Sequence, residues 1–292
     1  SVRKLLHLNP LQSFLYNLII LCIISFQCLF VGSASHENNL PHAKIKIIIV
    51  VLGYHCHVGS QVFDEDGSVY HNAAKIMMTF AAEMKKKYGA ELQVLDLGGG
   101  YGVRYTDADP QVNIPENIEQ LAGTIKALCA ELSLPMPAVL LEPGRSIVAD
   151  AGLTIYTAGS TKSIPGYKNY VPVDGGMTDN PRYALYQAKY TPVLASRAAE
   201  KATEVVSVAG KCCESGDLIA VNVNLPKAES GDILAILSTG AYNYSMAMNY
   251  NRNLIPPCIL VREGRADYIV KPQTYEDLTR NDAVPDSLKT EE

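Results

Sequence analysis

The sequence predicts an α/β region followed by a β-rich region. Two observations predict it. From residue 45 to about residue 150, short β-branched apolar runs alternate with longer stretches of helical period. After about Gly152, short β-rich runs are separated by Gly-Asp and Pro turns, which predicts an antiparallel β domain. With 292 residues, 48% of them hydrophobic and 19% charged, the chain can build two ordinary globular domains.

The elements follow in order. Residues 45–52 are almost wholly Ile, Val and Leu and read as a strand buried on both faces. Residues 69–88 carry Ala73, Ile76, Met77, Phe80 and Met84 at helical spacing, and Gly89 stops the helix. Residues 92–97 form a second short strand. Residues 114–132 form a second helix, with Pro115 near its start, and residues 138–141 a third buried strand. Such βα alternation implies a parallel sheet or a barrel. The later strands are expected at 170–173, 204–209, 217–223, 232–237, 258–262 and 266–271.

Composition narrows the function. A net charge of −5, with no basic stripe interleaved with aromatics, argues against nucleic acid. Seven cysteines without a C-x-x-C pair fit a reduced, cytoplasmic setting better than a disulfide framework. Residues 14–31 are apolar and follow Arg3 and Lys4, which gives them the parts of a secretory signal or anchor. A foreign or mis-joined segment is the preferred reading, because the chain starts with Ser1 and for a reason given below.

Three strand ends carry polar chemistry. After the first comes HCHVGSQ, residues 55–61. Alternation puts His55 and His57 on one face and Cys56 on the other. The two histidines could chelate a metal, but no third ligand stands at a telling spacing, so no metal is expected. After the second comes LDLGGGYG, residues 95–102, a phosphate cradle or a plain tight turn rather than a dinucleotide fingerprint. After the third comes EPGR, where Arg145 beside Gly144 suits a phosphate or carboxylate. Together they predict a rim that binds a phosphorylated cofactor. Farther on, the pair Cys212-Cys213 reads as one reactive thiol or a vicinal disulfide. Arg182 and Tyr186 stand one helical turn apart, and Tyr242 lies on a Gly-containing loop.

The ordered set HCHVGSQ, LDLGGGYG, EPGRSIVADAG, VDGGMTDNPRYALY, CESGD, GAYNYSMAMNYN and TYEDLTR resembles the bacterial diaminopimelate decarboxylases, from about Gly53 to about Asp282. That resemblance implies a (β/α)8 barrel holding pyridoxal 5'-phosphate, followed by a C-terminal β domain. Here only the later βα units are expected: residues 1–44 fall outside the resemblance, 45–152 form a partial barrel, and 153–292 form the antiparallel β domain. The implied reaction is decarboxylation of meso-2,6-diaminopimelate to L-lysine, by a homodimer with shared active sites.

The resemblance also implies roles. His57 stacks on the cofactor ring, and Glu142 pairs with its nitrogen. Ser60, Gly98, Gly99, Gly100, Pro143, Gly144 and Arg145 surround the phosphate. Arg145, Arg182, Tyr186 and Glu214 hold substrate, Tyr242 touches cofactor and substrate, and Cys213 donates the proton. The Cys213-Glu214 pair favours diaminopimelate over ornithine, whose decarboxylases resemble this pattern but usually carry Cys-Asp. One departure stands out. The family's cofactor-attaching lysine, in a short Tyr-Ala-x-Lys-Ala-like motif, is not found among Lys4, Lys44 and Lys46. This reads as an N-terminally truncated or mis-joined chain, whose turnover is expected to fall by orders of magnitude. A non-catalytic cofactor-binding or regulatory relative is the alternative.

Overall fold

The computed structural model describes residues 21–29 and 46–289, with side chains from residue 51. It divides into two units. The first runs to Ser146, except that Arg104–Asp109 belongs with the second, which continues from Ile147.

The first unit is built on a four-stranded sheet of order β1-β2-β3-β4: β1 (Leu21–Leu29), β2 (Lys46–His55), β3 (Val94–Asp96) and β4 (Ala138–Leu140). β2, β3 and β4 are mutually parallel, joined through helices α1 (Ser68–Tyr88) and α2 (Ile114–Leu132). α1 closes on Gly89 in the left-handed conformation, whose N–H bonds back to Lys85 O. α2 starts at Asn113, whose side chain accepts the Glu116 N–H. Tyr70, Ala73, Ala74, Met77, Met78 and Ala81 of α1 pack with Leu121, Ile125 and Leu128 of α2 over Tyr54, Cys56, Leu95 and Leu97.

Two expectations are corrected here. The third strand is not buried: Ala138, Val139 and Leu140 are all exposed, because β4 is the edge of the sheet and nothing in the described residues covers it. For the apolar run 14–31 the sequence offers a foreign or mis-joined segment first and a signal or anchor second. The middle of the run instead forms β1, antiparallel to β2, as its content of Ile and Phe favours. Residues 14–20, 30 and 31 lie outside the described residues. No helix among the described residues is long and apolar enough to cross a membrane.

The five-residue helix α3 (Gly144–Val148) follows β4. Beyond it come β5 (Thr154–Thr157), β6 (Lys162–Ile164), β7 (Lys168–Pro172), helix α4 (Arg182–Tyr186), β8 (Pro192–Leu194), β9 (Glu204–Ala209), β10 (Leu218–Leu225) and β11 (Ile233–Ile236). The chain ends with the hairpin β12 (Cys258–Arg262) and β13 (Arg265–Val270) and helix α5 (Tyr275–Thr279). One sheet has order β10-β9-β7-β6 and another β5-β11-β8. Most pairs are antiparallel, as expected, but β7 and β9 run parallel. The intervening chain, with α4 and β8, is long enough for the crossover that a parallel pair needs.

Candidate active site

The parallel register lines up the strand ends of the first unit. His55 is the neighbour of Asp96, and Asp96 is the neighbour of Leu140. His55 Nδ1 lies 2.9 Å from Asp96 Oδ2, and Gly98 N–H donates to Asp96 Oδ1 at 2.9 Å. Cys56 points into the core, where burial first and Asp96 second push its thiol up to about 11. His57 is exposed just beyond β2, and its Nδ1 accepts the Gly99 N–H at 3.2 Å. That bond makes Nδ1 the acceptor and fixes the orientation of the ring.

The glycine loop is shaped by close approach. A Cβ on Gly99 would stand 2.1 Å from Glu142 O, and one on Gly100 2.2 Å from Gly59 O. Gly100 also has φ +105°, which glycine adopts freely. Beneath the loop, Tyr70 donates its hydroxyl to Gly99 O at 3.2 Å and stacks on Tyr101 at 4.2 Å between ring centres. Burial pushes both phenols up, Tyr101 to about 12.

At the third strand end, Glu142 is exposed, and its N–H donates to Gly98 O at 2.8 Å. Pro143 and Gly144 turn the chain into α3, where Arg145 is buried and donates from Nη2 to Ser60 Oγ at 2.7 Å. Ligand-type atoms of His55, Asp96 and Glu142 all lie within 4.8 Å of one another. Two strands and the chain just beyond a third supply them, so no sequence spacing announces the group.

The second unit holds the other candidates. Arg182, buried on α4, sits 5.6 Å from the Tyr186 ring and 4.7 Å from the Tyr242 ring. The helical spacing predicted the first contact; the second joins residues 60 apart and needs the fold. Tyr242 has φ +72°, a left-handed backbone that non-glycine residues seldom adopt and that recurs at functional sites. Cys213 and Glu214 are exposed, and Cys212 and Cys213 are both free thiols rather than a disulfide. Cys213 N–H donates to Asn251 Oδ1 at 2.9 Å. Buried Asp217 accepts the N–H groups of Met177 at 2.6 Å and Cys212 at 2.7 Å.

Sequence reasoning missed Asp96, Asp217 and Asn251. The only local signal was position: Asp96 ends a strand inside LDLGGG, and Asp217 closes CESGD before another. Of the lysines before Gly53, Lys4 and Lys44 lie outside the described residues, and Lys46 begins β2.

Parallel strands that end in a glycine loop, an imidazole, a carboxylate and a buried guanidinium are an arrangement that suits a phosphorylated ligand. The family profile "pyridoxal-dependent decarboxylase, pyridoxal binding domain" matches residues 33–149. Over most of its length the chain is similar to diaminopimelate decarboxylases. It is 47% identical over 255 residues to the diaminopimelate decarboxylase of Bacillus subtilis (strain 168), covering 86% of this chain and 58% of that protein. The structure resembles the diaminopimelate decarboxylase of M. jannaschii solved in co-complex with L-lysine, with a TM-score of 0.72 and 37% identity over 80% of this chain and 52% of that one. A lysine/ornithine decarboxylase from Vibrio vulnificus, complexed with cadaverine, is more distant: TM-score 0.57 and 27% identity, over 69% of this chain and 51% of that one. The chain thus spans about half the length of the curated relatives it matches.

Proposed function

We propose that this chain carries the cofactor- and substrate-binding residues of a diaminopimelate decarboxylase, a carboxy-lyase that forms L-lysine and carbon dioxide from meso-2,6-diaminopimelate. In this reading residues 45–152 are the later βα units of a barrel and 153–292 the C-terminal domain. One observation carries the proposal: His57, Ser60, Gly99, Glu142 and Arg145 gather at the ends of three adjacent parallel strands.

The donor set fits pyridoxal 5'-phosphate. The Ser60 hydroxyl and Arg145 guanidinium already meet at 2.7 Å, and both suit a phosphate. Gly98, Gly99, Gly100, Pro143 and Gly144 put no polar side chain in competition with it. His57, with its ring orientation fixed, offers a flat face to a pyridine ring. Glu142 suits a pyridine nitrogen, whose protonation it would favour. When bound, the cofactor supplies a sink for the electron pair left on the carbon that loses carbon dioxide. Cys213 holds the proton that this carbon takes up: the S–H bond breaks as the C–H bond forms, and a thiolate remains. Arg145 and Arg182 suit substrate carboxylates, Glu214 suits the distal amine, and Tyr186 and Tyr242 flank Arg182. The functional unit is a homodimer working in the cytoplasm.

The test uses the chain with pyridoxal phosphate. Binding is followed by fluorescence, then trapped with borohydride and mapped by mass spectrometry. Saturable binding, weakened by Arg145→Ala and perturbed by meso-diaminopimelate more than by ornithine, is expected. Absence of saturable binding, or indifference to Arg145→Ala, overturns the proposal.

A further inference from the structure

We infer that His55 is a positioning residue for Glu142, acting through the closeness of its ring to the Glu142 carboxylate, with polar atoms of the two within 4.8 Å of each other. This rests on the reading of Glu142 as the partner of the cofactor's ring nitrogen.

The argument starts from the register. His55, Asp96 and Leu140 stand side by side at the ends of β2, β3 and β4. The ladder continues past β4, since Leu97 N–H bonds to Leu140 O at 3.1 Å and Glu142 N–H to Gly98 O at 2.8 Å. Glu142, two residues beyond Leu140, is thus held by its backbone to the loop that follows Asp96. The result is His55, Asp96 and Glu142 with polar atoms within 4.8 Å of one another.

Both oxygens of Asp96 are engaged. One oxygen takes the Gly98 N–H and the other meets His55 Nδ1, both at 2.9 Å. Asp96 is buried, and the side chain of His55 is only 17% exposed, so the ring has little freedom. Glu142 differs: it is exposed and has three rotatable side-chain bonds. A carboxylate that must meet one ring nitrogen needs its direction set to within about 0.5 Å. The clamped imidazole is the rigid polar neighbour able to set it. Neither the strand nor the glycine loop needs a histidine at position 55 for its own backbone bonds, which are made by main-chain groups.

The test is a double-mutant cycle on pyridoxal-phosphate affinity, measured by fluorescence titration of the purified chain. The variants are His55→Ala, Glu142→Gln and the pair, with His55→Gln as the conservative control. Far-UV circular dichroism and Tm guard against misfolding. Each single change is expected to weaken binding about tenfold, within the range for coupled neighbouring residues. The pair should be little worse than either single variant, and His55→Gln should recover part of the loss. If Glu142→Gln weakens binding while His55→Ala leaves it unchanged, or if the two losses multiply, the inference is wrong and the cofactor reading survives. If Glu142→Gln has no effect, both are overturned.

Discussion

Arg145 and Ser60, 85 residues apart, are joined by a hydrogen bond of 2.7 Å that ties helix α3 to the loop after β2. If this pair receives the phosphate, the planar fork of the guanidinium matters as much as its charge. Arg145→Lys is expected to weaken pyridoxal-phosphate binding at least tenfold, and Ser60→Ala only severalfold. Fluorescence titration at fixed ionic strength measures both, and unchanged affinity in Arg145→Lys would contradict the assignment.

The glycine loop makes a stability prediction. Gly99→Ala drives a methyl group into the Glu142 carbonyl, a backbone group that cannot yield cheaply. A loss of about 3 kcal/mol is expected in urea denaturation. Gly123 is the contrast. It lies within α2 and a Cβ there meets nothing within 4 Å, so Gly123→Ala should stabilise by about 1 kcal/mol. Similar effects of the two substitutions would refute this reading of the loop.

The thiols should react in order. Cys213 is exposed, Cys212 half-buried and Cys56 buried. Burial first, then Asp217, pushes Cys212 up to about 11. Iodoacetamide at pH 8 should therefore modify Cys213 before Cys212 and before Cys56. Asp217→Asn removes a charge that opposes the Cys212 thiolate, so Cys212 should label faster in that variant. Timed peptide mapping reads both, and early labelling of Cys56 would disprove the ordering.

Asp232 sets an acid limit. Its carboxylate accepts the Glu229 N–H at 2.7 Å, pairs with Arg197 and takes the Ser196 hydroxyl at 2.9 Å. These partners, the Glu229 N–H first, hold its carboxyl below the usual range. A depressed folded-state value means stabilisation that is complete at neutral pH and disappears as the pH falls through that value. Asp232→Asn should lower Tm at pH 7, with the gap to the unaltered chain closing below about pH 4. A gap that does not narrow at all between pH 5 and pH 2 would rule this linkage out.

Much of the fold was legible because its signals are local. The run Glu204–Ala209 and the run Cys258–Arg262 are strands over the residues that their β-branched content and flanking turns marked. Ile114–Leu132 is a helix over the span its apolar period and Pro115 marked. The strands Thr154–Thr157, Lys162–Ile164 and Pro192–Leu194 were not foreseen, since each is too short to show a period. The parallel pairing of β7 with β9 depends on contacts across some 30 residues of intervening chain, which no local pattern records.

By itself the sequence determined which side chains could do chemistry: the strand-end motifs, with His57, Ser60, Glu142 and Arg145, and the later Arg182, Tyr242 and Cys213. Each stands in a short motif whose glycines, turns and alternation are set by neighbours in the chain. Only the tertiary structure decided what those side chains touch. Parallel register brought Asp96 to His55 and carried Glu142 beside them, folding brought Tyr242 onto Arg182, and Asp217 and Asn251 came to hold the backbone around Cys213. The physical reason is range: a turn or a helical period is encoded within a few residues, whereas a register between strands is settled by the packing of the whole unit.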